Sequence, residues 1–119
     1  MSEEDRELLR LAAKANGLQI EFLSHANGLE SVVAEHEDPS KHITDGYMWN
    51  PLEDDGDALR LAVKLDISLR LDGDELTGIA HWRRNGKTYR VVGNYRTGIA
   101  YEARRLIVRA AAEIGKATA

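Results

Sequence analysis

Residues 67–92 read ISLRLDGDELTGIAHWRRNGKTYRVV, and the fold turns on how this stretch is read. Apolar and polar residues alternate through three runs, 67–71, 75–83 and 87–92, separated by Asp72-Gly73 and Asn85-Gly86. Asp-Gly and Asn-Gly are preferred two-residue type I′ hairpin turns, because both turn residues must take positive φ. Taken together they predict a three-stranded antiparallel meander with Leu69 opposite Leu76, Arg70 opposite Glu75, Trp82 opposite Tyr89 and Arg84 opposite Lys87. Side chains alternate between faces with a period of two. One face then collects Ile67, Leu69, Leu71, Leu76, Ala80, Trp82, Tyr89 and Val91. The other collects Ser68, Arg70, Glu75, Thr77, Ile79, His81, Arg83, Thr88, Arg90 and Val92. The first is a core face and the second is mostly polar.

Outward from the meander, the spacing of Ala100, Ala103, Leu106, Ile107, Ala110 and Ile114 predicts a last helix from about Thr97 to Ile114, ended by Gly115. Its alanines permit close approach to the sheet, and Arg104, Arg105 and Arg109 are left for the outer side. Upstream, Trp49-Asn50-Pro51 leads into Asp54-Asp55-Gly56-Asp57 and a short helix over 58–65, with Asp54 or Asp55 placed to cap it. At the start, Ser2 caps a first helix with Asp5 in the capping-box position, Leu8, Leu11, Ala12 and Ala15 line one face, and Asn16-Gly17 stops it. Leu18, Ile20 and Phe22 alternate as a strand, and Val32 and Val33 mark a second short strand over 31–35. Residues 36–41 carry a proline and are expected to be a mobile loop. The expected class is α+β: an antiparallel sheet of three to five strands packed with three helices, in the order α-β-(β)-α-β-β-β-α.

Length and composition bound the function. The 119 residues make one domain, 1–119, and 43% apolar content is enough for a core. The absence of cysteine excludes a disulfide framework, a thiolate metal site and a cysteine nucleophile. No apolar run approaches the roughly 20 residues that span a bilayer, and the acidic N-terminus is unlike a secretory signal. The expected place is the cytoplasm of a bacterial host, away from membranes. The net charge of −4 is unevenly spread: 14 acids and 4 bases in residues 1–57 give −10, and 12 bases and 6 acids in residues 58–119 give +6. Folding that intermingles the halves would neutralise them; an acidic half that mimics DNA is the sharper alternative, and the overall charge is mild for it.

The turn Asp54-Asp55-Gly56-Asp57 offers oxygens to a hard cation. An EF-hand glycine in sixth place would put the first ligand at Pro51, however, and the closing glutamate is absent, so capping explains the aspartates with fewer assumptions. His25, His36, His42 and His81 show no metal-ligand spacing. There is no Gly-x-Ser-x-Gly elbow and no phosphate-binding glycine loop. No cofactor is expected, and no enzymatic activity. The basic run 81–90 combines arginines with Trp82 and Tyr89, and as a two-stranded ribbon it suits a nucleic-acid groove through Arg83, Arg84, Lys87, Arg90 and Arg96. The register puts Trp82 and Tyr89 on the core face, and basic hairpin tips are also ordinary solvated edges.

Residues 49–65, WNPLEDDGDALRLAVKL, and the final helix 102–115, EARRLIVRAAAEIG, together resemble the phage "ABA sandwich" domain family of small phage and prophage proteins. The resemblance implies helices on both faces of a sheet and no assigned activity. A motif this specific exceeds what capping requires, which makes Trp49, Asn50, Asp54, Asp57 and Arg60 a candidate partner contact. The reading favoured by the sequence is a non-enzymatic phage accessory protein that binds a protein partner or itself as a homo-oligomer. Its alternative is a nucleic-acid-binding module built on the 81–90 hairpin.

Overall fold

In the computed structural model of the chain, residues 1–36, 47–94 and 98–118 are described. The elements are α1 (Glu3–Ala15), β1 (Leu18–Ser24), β2 (Glu30–His36), β3 (Tyr47–Met48), α2 (Asp55–Leu65), β4 (Ser68–Asp72), β5 (Thr77–Arg84), β6 (Lys87–Asn94) and α3 (Ile99–Ala117). The α+β class and the helix–strand order follow the sequence expectation, with β3 as an added strand. The six strands form two separate antiparallel sheets, β1-β2-β3 and β4-β5-β6. Most of the expected loop 36–41, together with His42, Tyr95, Arg96 and Thr97, lies outside the described residues. No helix among the described residues is long and apolar enough to cross a membrane.

Local chemistry sets the helix ends. Ser2 Oγ accepts the Asp5 N–H at 3.1 Å, and α1 closes at Asn16 with Gly17 at φ 70°. The second helix begins at Asp55, three residues before the position read from the sequence, because Asp54 is its N-cap and accepts the Asp57 N–H at 2.8 Å. It ends at Asp66, which takes the left-handed conformation at φ 55°.

The two turns of the meander behave differently. Asn85-Gly86 is left-handed at both residues, φ 53° and 77°, and β5 pairs with β6 in the expected register, Trp82 with Tyr89 and Arg84 with Lys87. The first hairpin does not follow the type I′ reading. Its register is Leu69 with Ala80, Arg70 with Ile79 and Asp72 with Thr77, so four residues, 73–76, make the connection. The cause is the Asp72 carboxylate, which accepts the N–H groups of Asp74 and Glu75 at 3.0 and 3.2 Å. That side-chain turn competes with the two-residue one, and Leu76, not Gly73, takes positive φ (50°). Leu76 therefore leaves the core face and is exposed. The shift is an even number of residues, so the side chains outside the 73–76 connection keep their predicted faces.

The β5–β6 register, the one expected from the sequence, brings Gly78 opposite Gly93 on the inner face. A Cβ at Gly78 would stand 2.6 Å from Leu106 Cδ1, and one at Gly93 would stand 3.3 Å from Leu106 Cδ2. Leu106 of α3 thus fills a notch cut by two glycines and is fully buried. At the other end of α3, a Cβ on Gly115 would lie 2.0 Å from the Leu11 carbonyl oxygen. Gly115 does not end the helix, as the sequence reading had it, since α3 continues to Ala117. Its function is to let the backbones of α1 and α3 touch. Ala12 and Ala13 of α1 and Ala110 and Ala111 of α3 are buried in the same core. The third helix packs on α1, on α2 and on β4, β5 and β6, while α1 covers β1.

The opposite face of the second sheet is open. Ser68, Arg70, His81, Arg83, Thr88 and Arg90 on it are exposed, and Val92 is half exposed. The arrangement of helices on both faces, implied by the family resemblance, is not present on this sheet among the described residues. The shortest dimension of the molecule, 22 Å, is what one helix layer on one sheet layer occupies.

Two consequences can be measured. Glycine inside a helix is about 1 kcal/mol worse than alanine, so propensity alone makes Gly115→Ala stabilising. The backbone contact reverses the sign: the urea midpoint should fall by an amount equivalent to about 1–3 kcal/mol, the usual cost of overpacking. The second concerns Glu30, which joins β2 to α1 by accepting from Arg6 Nη2 at 2.7 Å and from the amino terminus at 3.1 Å. The Arg6 hydrogen bonds, and after them that of the amino terminus, hold its carboxyl below its ordinary value of 4.5. A depressed folded pKa gives stability that is present above the unfolded value and lost as pH falls through the folded one. The advantage of the wild type over Glu30→Gln should therefore be full at neutral pH and vanish on acidification below 4.5, read from denaturation midpoints across pH.

Candidate functional site

The segment around residues 49–60 is built on the core. The Trp49 N–H donates to the Val32 carbonyl at 3.0 Å, continuing the β3 pairing, and its indole is only 4% exposed. Pro51 and Leu52 are buried behind it. Asn50 then organises a turn: its Oδ1 accepts the Leu52 N–H at 3.1 Å, and its carbonyl accepts the N–H groups of Glu53 and Asp54. Asp57 reaches back from the first turn of α2, with Oδ2 on the Asn50 N–H at 2.9 Å and Oδ1 on Arg60 Nη2 at 2.7 Å. Gly56 makes room for that guanidinium, since a Cβ there would lie 3.1 Å from Arg60 Nη1 and 3.2 Å from Asp54 Oδ2. Asp55 is taken by Arg104 of α3 at 2.6 Å, and the same arginine donates to the Leu52 carbonyl at 2.9 Å.

The spacing Asn-x3-Asp-Asp-Gly-Asp-x2-Arg thus has a complete internal explanation as a strap from β3 into α2, pinned to α3. Trp49 is a core residue and offers a partner almost no surface. Asn50, Asp54, Asp57 and Arg60 are brought together, but mainly on one another. Beside them lies a groove of ≈ 350 Å³ whose walls include Tyr47, Asp57, Arg60 and Lys64. Burial, and after it the negative charge of Asp57, pushes the Tyr47 hydroxyl pKa up, so this phenol stays protonated at neutral pH. The Lys64 ammonium caps the end of α1 through the Asn16 carbonyl at 2.6 Å.

The basic set read from the sequence is divided by the sheet. Arg83 and Arg90 stand on the open face, where alternation had placed them. Arg84 and Lys87 belong to the opposite side of the strands, and Arg84 is turned to the C-terminal end of α3, donating to the Ile114 carbonyl at 3.2 Å. A helix C-terminus, with its unpaired carbonyls, is a natural acceptor for an arginine. Arg96 lies outside the described residues. The α3 arginines are not left on the outer side: Arg104 holds Asp55, Arg105 holds Asp5 at 3.0 Å, and Arg109 donates to the Val92 carbonyl at 3.2 Å.

Two residues absent from that candidate set complete the open face. Arg70 on β4 shares a row with Ile79 and Val92, and His81 on β5 lies between Ser68 and Arg90. His81 therefore sits inside a triangle of Arg70, Arg83 and Arg90. Period-two alternation had already put both on this face; grouping residues by sequence proximity to the hairpin tip is what missed Arg70. Arg6, Arg10, Arg60, Arg104 and Arg105 are all held in ion pairs. Among the described residues, Arg70, Arg83 and Arg90 make none. The acid on this face, Asp72, is at the end of β4 with its carboxylate engaged by the turn.

If the 49–60 motif is a structural strap, stability should register its loss. Asp57→Ala removes two hydrogen bonds from a carboxylate only 13% exposed. It should cost about 1.5–3 kcal/mol, more than the roughly 1 kcal/mol expected when Asp54→Ala removes a cap. Thermal and urea unfolding of the two variants measure the difference, and a neutral Asp57→Ala would return the motif to partner binding. Comparison with protein-family models, with curated proteins and with solved structures finds no match to this chain, so the reading of its function rests on its own residues.

Proposed function

We propose that the protein is a non-enzymatic binding module that takes a polyanionic partner, nucleic acid, on the open face of its second sheet. The observation that carries this reading is the division of the arginines. Those in the helical layer are held by carboxylates or carbonyls, whereas Arg70, Arg83 and Arg90 share one exposed face and form no ion pair among the described residues. Like charges held close on a rigid sheet are unfavourable unless an external anion completes them. Phosphates do so, with release of the counterions condensed on the nucleic acid.

An accessory role in a bacterial host cytoplasm, the expectation attached to residues 49–65 and the last helix, goes with this proposal and is not what carries it. Partner binding through the 49–60 motif becomes the weaker reading, because Trp49 is buried and Asn50, Asp54, Asp57 and Arg60 hold one another. One observation keeps self-association as a second reading. Leu59 and Val63, four residues apart on α2, are 64% and 73% exposed. Leu59 borders a shallow apolar groove between α2 and α3, lined in part by Ala100, Ala103 and Ile107.

Binding through three arginines predicts a slope of log affinity against log salt of about −2.7, or roughly 40-fold weakening for a fourfold rise in salt. Arg83→Ala with Arg90→Ala should reduce the slope to about −0.9, while Arg84→Ala should leave it unchanged. Fluorescence anisotropy with a labelled oligonucleotide reads both. Absence of binding at low salt, together with a dimer in light scattering, would favour the α2–α3 surface instead.

A further inference from the structure

We propose that the open face docks on B-form duplex DNA by straddling the major groove, with Arg70 and Arg90 on opposite phosphate rims, and that it does not bind single strands. This rests on the nucleic-acid reading above and narrows it.

The register sets the spacing of the charges. Arg70 is on the edge strand β4 and Arg90 on the edge strand β6, one row further along. Strands are roughly 4.8 Å apart and side chains on one face repeat every roughly 6.7 Å, so the two backbones are separated by roughly 12 Å. The major groove of B-DNA is about 12 Å wide. Arg83, on the central strand and one row beyond Arg90, is roughly 8 Å from it by the same spacings. It reaches a second phosphate on the Arg90 side.

Between the rims the face is short and weakly polar. Ile79 is half-buried at the centre of its row with Val92 beside it, and both would meet the groove floor without hydrogen bonds to base edges. Apolar contact of this kind distinguishes little beyond a thymine methyl. The exposed His81 in the next row is the polar side chain between the rims, so the grip is mainly on the backbone and base readout falls to His81.

The same face is poorly made for single strands, which bind by stacking successive bases on aromatic side chains. The aromatic residues of this sheet are on its other side: Trp82 is 6% exposed and stacks on Tyr89 with ring centroids 5.8 Å apart. An A-form RNA duplex is also a poor fit, because its major groove is deep and narrow.

The test is fluorescence anisotropy on the full chain with three probes of one sequence, about 20 nucleotides long: duplex DNA, single-stranded DNA and duplex RNA, at about 50 mM salt. The expected result is duplex DNA bound at least about tenfold tighter than either other probe, with Arg70→Ala and Arg90→Ala each reducing its salt slope by about 0.9. Both side chains are exposed and unpaired, so the variants should fold, which circular dichroism checks. Single-stranded DNA or duplex RNA bound as tightly as duplex DNA would overturn the straddling geometry. So would an Arg70→Ala variant that binds duplex DNA like the wild type while Arg90→Ala does not. Either outcome leaves nucleic-acid binding standing, whereas failure to bind any of the three probes removes that reading as well.

Discussion

The close approach of α3 to its neighbours is the constraint on which the rest of the structure depends. Helices ordinarily pack with axes about 8–10 Å apart, a distance set by the side chains between them. Gly115 removes the side chain where α1 crosses, and Ala110, Ala111, Ala12 and Ala13 keep the neighbouring contacts small. On its other side α3 presses Leu106 into the notch of Gly78 and Gly93. A helix that touches two other helices and three strands needs small residues wherever it touches, and a large one only where a partner has been cut away to receive it.

That central position also decides the electrostatics. Acids predominate in the first half of the chain and bases in the second, and α3 mixes the two by carrying Arg104 to Asp55 and Arg105 to Asp5. Neutralisation is thus real in the helical layer. It reaches the first sheet at Glu30, held by Arg6, and stops there: Glu21 and Glu35 are exposed on that sheet, while Arg70, Arg83 and Arg90 are exposed on the second. The charge asymmetry of the chain survives folding as an asymmetry between sheet surfaces, which gives a small protein of net charge −4 a locally positive face.

The candidate sites were unevenly legible. Alternation along β5 and β6 is enough to put Arg83 and Arg90 on one side and Arg84 and Lys87 on the other, since adjacent residues of a strand cannot share a face. The 49–60 motif is different. Its density of polar residues looks like a binding surface when read linearly, and only the reach of Asp57 back to the Asn50 N–H, with Arg60 folded over Gly56, shows that the residues serve one another. Nothing local distinguishes a carboxylate waiting for a partner from one that finds its partner seven residues away.

What the sequence by itself determined is whatever depends on short-range periodicity and steric preference. The helices, the strands other than β3, the Ser2 cap, the Asn85-Gly86 turn and the face on which nearly every meander residue lies belong to that class. The tertiary structure decided the rest: the division into two sheets, the four-residue connection after Asp72, the place of Gly115 inside α3 and the arginines that form no ion pair among the described residues. The physical reason is range. Backbone propensity and alternation act over a few residues and leave a trace in each segment. Whether a glycine ends a helix or admits a neighbour, and whether an arginine is spent on a carboxylate or left for a ligand, is decided by groups up to 100 residues away, as Arg105 and Asp5 are.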